Sequence, residues 1–283
     1  MSNARVRLLL FFIAIPSLVA ILLFLPHLHY VAFSVICILA SGLAALELAG
    51  IFYHRGIPLS KPISFLLGAL GPASVYGELA GFWKPSFSPA LFLSILGILY
   101  ASEIIKKSES DYAESLPRMS GYTFIILYPG IFSSYAIRLT HFSEGGLLVL
   151  VFLLATFLND SFAWTFGMLF GRNNRNLLLV SPNKSLVGFI AGFLSSPLVF
   201  WVSYRIFPHL FPFSLSSLLL FGSIIGFTTL VGDLIESVIK RSAAVKDSGN
   251  LIPGRGGLLD SIDSPLFNAP IFYYLYIWFA GKY

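Results

Sequence analysis

The sequence predicts an all-α polytopic membrane protein with about nine transmembrane helices and a cytoplasmic N-terminus. The chain of 283 residues is 57% hydrophobic and only 11% charged, and its mean hydropathy is +0.83. Apolar stretches of about 18 or more residues recur along its length, and each is long enough to cross a bilayer. We therefore expect a single integral membrane domain over residues 1–283, without a separate soluble domain.

Nine apolar segments are the predicted spans. Arg5 and Arg7 precede the first, which we interpret as a retained helix because no small-residue cleavage site follows before Pro26. The third is the weakest, since a Gly-Pro pair and a glutamate interrupt it, and a re-entrant segment is the alternative. The spans cover residues 8–26, 31–53, 62–82, 88–105, 121–138, 146–170, 186–206, 215–239 and 265–281.

The basic residues predict the orientation of these spans. Cytoplasmic loops of membrane proteins are enriched in Lys and Arg. Of the 18 such residues, all but Lys84, Arg138, Arg205 and Lys282 fall on one side. That side is expected to be cytoplasmic, which places the C-terminus outside. The net charge of +5 then indicates basic loops beside anionic lipid rather than a nucleic-acid partner.

Spans 6, 7 and 8 each contain two glycines four residues apart. This spacing lets helix backbones approach closely in lipid, so we predict that these three helices pack tightly. The pairs are Gly167 and Gly171, Gly188 and Gly192, and Gly222 and Gly226. By contrast, the lone cysteine, Cys37, excludes an intrachain disulfide and a thiolate zinc site.

Charged residues gather at the end of span 8. Asp233, Glu236, Ser237, Lys240 and Arg241 have the spacing of one helix face. The carboxylate of Asp233 lies about 10 Å below Lys240 by helical rise. A carboxylate at that depth is costly unless it is paired, bound to a metal or exposed to a wet cavity. We predict a functional site here, with a salt bridge to a neighbouring helix as the structural alternative.

Spans 6 and 7 contribute further polar candidates. Asp160 lies near the middle of span 6, where it makes a structural contact between helices or shares a site with Asp233. Ser185 is the predicted N-cap of span 7. Lys184, next to this helix N-terminus, is well placed for a phosphate, and a snorkelling interfacial lysine is the alternative.

The loop after span 8 is rich in glycine. Glycines let backbone N–H groups turn toward phosphate oxygens, although ordinary loops have similar patterns and the spacing differs from a Walker loop. Asp260 and Asp263 follow, just before Pro265. Asp263 or Ser264 could cap span 9 with Pro265 as its first helical residue, which leaves Asp260 unexplained. The glycines are Gly254, Gly256 and Gly257, on both sides of Arg255.

These residue types point to one kind of chemistry. Carboxylates without His or Cys suit a hard cation such as Mg²⁺, and basic residues suit phosphates. The combination is the apparatus of phosphoryl or nucleotidyl transfer. Because the carboxylates lie below the membrane interface, we expect one substrate to be a lipid phosphate.

At these residues the chain resembles the CDP-diacylglycerol synthases, also called phosphatidate cytidylyltransferases. The similarity extends from about Asn159 to Ser264 and includes NDSFAWTFGMLFGR, SPNKSLVGFIAG and GDLIES. Two positions depart from the family pattern: Arg255 replaces the usual His and Ser261 the usual Arg. We expect Arg255 to supply part of the missing guanidinium. The matching signature residues are Lys240, Arg241, Lys246, Asp247, Gly249, Ile252, Pro253, Gly256, Gly257, Asp260 and Asp263.

The resemblance implies cytidylyl transfer from CTP to phosphatidate, giving CDP-diacylglycerol and pyrophosphate for phospholipid biosynthesis. It also implies an enzyme of the bacterial cytoplasmic membrane whose active site faces the cytoplasm. The expected partners are CTP, phosphatidate and membrane lipid, with no nucleic acid, and a homodimer is left open. The alternatives are a CTP-dependent lipid-alcohol kinase and, more distantly, an ion or phosphate transporter.

The resemblance also implies residue roles. We expect residues 1–145 to form N-terminal helices and residues 146–283 to contain the catalytic helices and the signature loop. Mg²⁺ is the expected cofactor, and a second cation is left open. The metal ligands are expected to be Asp233 and Asp260, with Asp160 and Asp263 as further candidates. The catalytic candidates are Asp233, Asp260, Lys240 and Arg241. The substrate-binding candidates are Lys184, Ser185, Lys246, Asp247, Gly254, Arg255, Gly256 and Gly257.

Overall fold

The computed structural model describes residues 3–105, 108–252, 254 and 256–281 of the chain. A π-helical turn at Ile126–Ile131 joins α6 to α7. The helices are α1 (Asn3–Phe24), α2 (His27–His54), α3 (Lys61–Leu79), α4 (Phe87–Ser102), α5 (Glu109–Ala113), α6 (Ser115–Ile125), α7 (Phe132–Leu139), α8 (Gly145–Phe170), α9 (Leu186–Ile206), α10 (Leu215–Ser242) and α11 (Leu259–Ala280).

Among the described residues, five helical segments are long and apolar enough to cross a membrane. They coincide with predicted spans 2, 4, 6, 7 and 8, so the prediction of an all-helical membrane protein is confirmed. The other predicted spans also fall on helices, but the count of nine and the orientation of the N-terminus stay predictions. The five segments are His27–His54, Phe87–Ile105, Gly145–Phe170, Leu186–Ile206 and Leu215–Ser242.

The chain divides into two compact units. The first contains α1 to α7 together with the segment Ser242–Ser261. The second contains Phe142–Arg241 and the part of α11 from Ile262 onward. Each predicted site residue therefore belongs to one unit or the other.

In the first unit, α2 and α3 pack with their backbones in close approach. A Cβ atom on Gly68 would lie 2.7 Å from the carbonyl oxygen of Ser41. The Ser41 hydroxyl donates to the Gly68 carbonyl at 2.7 Å and also lies against the carbonyl of Pro129 in the π-helical turn. Small residues thus let polar backbone groups find partners inside this packed unit.

The glutamate that weakened the third predicted span is buried and paired. Glu78 is 2% exposed at its side chain and accepts from Arg138 Nη2 at 2.8 Å. The backbone N–H of Ser88 donates to its other oxygen at 3.3 Å. With this charge neutralised, α3 runs as one helix through Gly71 and Pro72.

In the second unit, the glycine pairs bring α8, α9 and α10 together as predicted. A Cβ on Gly192 would lie 2.8 Å from Asn159 Oδ1, and one on Gly226 would lie 2.7 Å from the carbonyl of Phe193. Asn159 is fully buried and its amide donates to Ser196 Oγ at 3.1 Å and to the Gly226 carbonyl at 3.0 Å. One asparagine therefore joins three helices.

The start of α11 differs from the prediction. This helix begins at Leu259 rather than at Pro265, so the interpretation of Asp263 or Ser264 as its N-cap was wrong. Asp263 lies inside the helix, and its Oδ1 accepts from the N–H of Ser264 at 2.7 Å. Asp260 occupies the first turn, where a carboxylate interacts favourably with the helix dipole.

Candidate active site

The second unit contains a cavity of about 360 Å³. Both charged and apolar side chains line it, as expected for a site that accepts a molecule with an ionic head and an apolar body. Its charged lining residues are Asp160, Arg175, Lys184 and Asp233. Trp164, Met168, Phe189 and Leu230 are among its apolar lining residues.

Lys184 and Asp233 form an ion pair at this cavity. Their side chains are 26% and 28% exposed, so the pair is only partly shielded from solvent. Ser185 is confirmed as the N-cap of α9, because its hydroxyl accepts from the Gly188 N–H at 3.1 Å. This cap fixes the start of α9 and thereby places Lys184 opposite the Asp233 carboxylate of α10.

Asp160 joins the same side-chain environment. Its Oδ1 accepts from the hydroxyl of Ser264 at 3.3 Å. Asp263, which is 7% exposed, lies within electrostatic reach of Asp160, Asp233 and Lys240. Three carboxylates of the predicted metal set therefore belong to the second unit, where Asp263 interacts electrostatically with the other two.

The other residues on the predicted face of α10 are also engaged. Glu236 is buried and forms an ion pair with Lys240 one turn later. Arg241 is exposed, and its Nε reaches the carbonyl of Val180 at 3.5 Å. The Lys240 cation is therefore shared between a buried carboxylate and the electrostatic environment of Asp263.

The glycine loop belongs to the first unit and forms a tight turn. Two backbone hydrogen bonds between Ile252 and Gly256, at 2.9 and 3.1 Å, close it. Gly254 and Gly256 adopt φ values of +77° and +111°, a conformation that favours glycine. Lys246 and Asp247 lie exposed ahead of this turn. Arg255 lies outside the described residues, so its expected phosphate contact stays a prediction.

The carboxylate of Asp260 stabilises this loop by accepting hydrogen bonds from its backbone N–H groups. Its Oδ2 accepts from the N–H of Gly257 at 2.7 Å and from the N–H of Ser248 at 3.0 Å. The N–H of Gly256 donates to Ile252 within the turn, and the N–H of Gly257 donates to Asp260. Both N–H groups therefore make hydrogen bonds that stabilise the loop. Their predicted contact to phosphate stays a prediction.

Sequence reasoning missed Glu47. This residue of α2 accepts hydrogen bonds from Ser248, Leu258 and Leu259 in the loop. A signal was available, because a carboxylate inside an apolar stretch is costly and usually has a partner or a function. Arg175, a cation lining the cavity, was also not among the predicted site residues.

The predicted metal ligands divide between the two units. Asp160, Asp233 and Asp263 belong to the second unit and Asp260 to the first. Within the described ranges, no three His, Cys, Asp or Glu side chains lie close enough together to hold one ion. The donor type nevertheless fits, because Mg²⁺ prefers carboxylate oxygens. The assignment of Mg²⁺ to these residues stays a prediction.

Comparison with known proteins identifies related sequences. A family model described as the cytidylyltransferase family matches residues 5–279. The chain is 32% identical over 215 residues to a phosphatidate cytidylyltransferase of Thermotoga maritima, covering 75% of this chain and 76% of that protein. It is 30% identical over 263 residues to a phosphatidate cytidylyltransferase of Staphylococcus haemolyticus, covering 91% and 95%.

A third relative matches a shorter region. The uncharacterized protein YnbB of Escherichia coli is 43% identical over 132 residues. This match covers 46% of the present chain and 43% of YnbB, which is less than half of either protein.

Proposed function

Because this chain belongs to the cytidylyltransferase family, we propose that it transfers the cytidylyl group of CTP to phosphatidate, giving CDP-diacylglycerol and pyrophosphate. Two relatives that carry the name phosphatidate cytidylyltransferase support this choice of acceptor. The proposal places the reaction in the bacterial cytoplasmic membrane, with the site facing the cytoplasm.

The observation that carries the proposal is the mixed lining of the cavity in the second unit. Lys184 and Arg175 supply cations, whereas Trp164, Met168 and Phe189 supply apolar surface. Phosphatidate combines an anionic phosphate with apolar acyl chains. A single cavity that offers both kinds of contact suits such a molecule better than it suits a fully hydrated anion.

The proposed reaction makes one bond and breaks one. A phosphate oxygen of phosphatidate attacks the α-phosphorus of CTP, and the bond from that phosphorus to the oxygen bridging to the β-phosphorus breaks. Pyrophosphate leaves with the bonding electrons, so no protein nucleophile is needed. The chain has to hold two anions in line and offset their repulsion.

The cations of the chain are the natural groups for this task. We assign Lys184 and Arg175 to phosphate contacts in the cavity. Lys240, Arg241 and Lys246 are further phosphate candidates. The remaining proposed substrate-binding residues are Ser185, Asp247, Gly254, Arg255, Gly256 and Gly257.

Carboxylates of the chain would hold Mg²⁺. Asp160, Asp233 and Asp263 in the second unit and Asp260 in the first are the proposed ligands. Bound Mg²⁺ would neutralise charge on the triphosphate and the departing pyrophosphate. In the structure, the Lys184 cation offsets the charge of Asp233.

Purified protein, phosphatidate and CTP test this function directly. With label on the α-phosphate of CTP, we expect labelled lipid and unlabelled pyrophosphate, and no labelled lipid when Mg²⁺ is removed by chelation. Label on the γ-phosphate should appear in pyrophosphate. In a parallel assay with a lipid alcohol in place of phosphatidate, transfer of the γ-label to that alcohol would instead identify a kinase and overturn the proposal.

A further inference from the structure

We propose that Glu47 is a positioning residue for the signature loop, defined as the described residues among 248–259, and through it for Asp260. The inference rests on the proposed function, since it assigns Glu47 a part in the same reaction. Glu47 is the one acidic residue within α2, a helix otherwise dominated by apolar side chains. Its role follows from what its carboxylate contacts.

Both oxygens of Glu47 accept hydrogen bonds from the loop. Oε1 accepts from the backbone N–H of Leu258 at 2.9 Å. Oε2 accepts from the N–H of Leu259 at 2.8 Å and from the hydroxyl of Ser248 at 2.9 Å. Hydrogen bonds to a charged acceptor are the stronger kind, and three of them converge here.

Two glycines of the loop make this approach possible. A Cβ on Gly249 would lie 2.6 Å from Glu47 Oε1. A Cβ on Gly257 would collide with both Glu47 Oε2 and the hydroxyl of Ser248. These glycines are needed because the backbone itself lies against the carboxylate.

Ser248 links Glu47 to Asp260. Its hydroxyl donates to Glu47 and accepts from the backbone N–H of Asp260 at 3.3 Å. Its own N–H donates to the Asp260 carboxylate, 3.0 Å from Oδ2 and 3.2 Å from Oδ1. Movement of Ser248 would therefore shift the positions of both the backbone N–H and the carboxylate of Asp260.

The arrangement assigns Glu47 an indirect role. Its carboxylate faces loop donors on both oxygens, so it acts on the reaction by holding those donors in place. Replacing one oxygen by the NH₂ group of glutamine would turn a donor toward backbone N–H groups and disrupt that hold. Asp260, a proposed Mg²⁺ ligand, would then lose its fixed orientation.

The test compares Glu47→Gln and Ser248→Ala with the wild-type protein in detergent or nanodiscs. The first readout is hydrogen exchange of the backbone amides at residues 256–260, which does not depend on activity. We expect at least tenfold faster exchange in both variants. The second readout is the Mg²⁺ concentration for half-maximal cytidylyl transfer, which we expect to rise at least fivefold.

Glu78→Gln is the matched control. It also removes a carboxylate of the first unit with a strong partner, Arg138, and the described hydrogen bonds of Glu78 go to Arg138 and Ser88 rather than to the loop. We expect it to lower the unfolding temperature while leaving loop exchange and the Mg²⁺ midpoint unchanged. Destabilisation alone therefore cannot imitate the expected pattern.

Each result has a defined meaning. If Glu47→Gln fails to fold, Ser248→Ala decides, because it removes one loop contact and leaves the carboxylate intact. Unchanged loop exchange, or faster exchange with an unchanged Mg²⁺ midpoint, would overturn the positioning role. If the wild-type protein transfers no cytidylyl group, the proposed function fails, and hydrogen exchange still reports whether Glu47 orders the loop.

Discussion

Asp233 is engaged in an ion pair and lines a cavity at the same time. Its partner Lys184 directly precedes the N-cap of α9, and both side chains are partly exposed. The ion pair alone would satisfy the structural need of a carboxylate that is predicted to lie below the membrane interface. Under the proposed function, an anionic substrate in the cavity, which Asp160 and Arg175 also line, would compete with Asp233 for the Lys184 cation.

Single and double substitutions separate these two roles. Asp233→Asn and Lys184→Met each leave one charge unpaired, so both should lower the unfolding temperature. The double variant removes both charges and should recover stability. If Asp233 serves the reaction, all three variants lose about 100-fold or more in kcat, equivalent to about 3 kcal/mol.

Glu109→Gln is the control for loss of a carboxylate, because Glu109 is exposed at the start of α5 in the first unit. It should leave kcat and stability unchanged. A stable double variant with near-normal cytidylyl transfer would show that the ion pair is only structural.

The role of a single residue was predictable when its partners lie close to it in the sequence. Ser185 was recognised as an N-cap because its partner, Gly188, lies three residues away in the same segment. Glu47 was missed because its partners lie about two hundred residues later in the chain. The pairing of Lys184 with Asp233 likewise depends on helix packing that spacing alone does not determine.

At the level of helices, α8, α9 and α10 form the scaffold of the cavity. Their close approach depends on glycines that face backbone carbonyls, such as Gly188 against Ala163 and Gly226 against Phe193. Asn159 adds hydrogen bonds to α9 and α10. Because Asp160 lies in α8, Asp233 lies in α10 and Lys184 directly precedes the N-cap of α9, a small shift of one helix changes the spacing of the charges.

Gly226→Ala should therefore destabilise the second unit. The added Cβ would lie 2.7 Å from the carbonyl oxygen of Phe193, a backbone atom that can yield only if α9 moves. We expect the free energy of unfolding to fall by about 1–3 kcal/mol, which is typical of overpacking. A lower unfolding temperature in the same detergent would report it.

Gly97→Ala in α4 provides the comparison. A Cβ on Gly97 meets nothing within 4 Å, so this change should be neutral or slightly stabilising through helix propensity. Equal unfolding temperatures for the two variants would contradict tight packing at Gly226.

The boundaries of helices were predictable where the signal was local. The glycine spacing in spans 6 to 8 correctly indicated close packing, since residues four apart share a helix face. The start of α11 was placed too late because Pro265 is a common first residue of a helix. At the true start, the N–H of Leu259 donates to Glu47 of α2, a contact between residues far apart in the chain that the local sequence does not reveal.

For the whole molecule, the unequal distribution of Lys and Arg is the basis of the predicted orientation. In the predicted nine-span topology, the loops that contain Lys184 and Lys246 fall on the basic side, and the loop around Lys84 falls on the other. In a membrane potential and beside anionic lipid, the basic side favours the cytoplasm. Cytoplasmic CTP would then reach the proposed catalytic residues without crossing the membrane.

Cysteine labelling in sealed, oriented vesicles checks this orientation. In a Cys37→Ser background, Leu251→Cys should react with an impermeant maleimide only from the cytoplasmic face, and Lys84→Cys only from the outer face. Both positions are exposed. Reaction of both from one face would refute the nine-span topology.

The contacts of Glu47 also have a consequence for how the protein is made. Ser248 and Leu259 follow Glu47 by 201 and 212 residues, so ribosomes finish much of the chain before this carboxylate meets its partners. Until then, α2 enters the membrane without the hydrogen bonds from Ser248 and Leu259 to Glu47. Insertion of this carboxylate into the membrane is then less favourable. Completion of the loop would therefore mark the end of assembly, and nascent chains stopped before Ser242 should be recognised and degraded by membrane proteases.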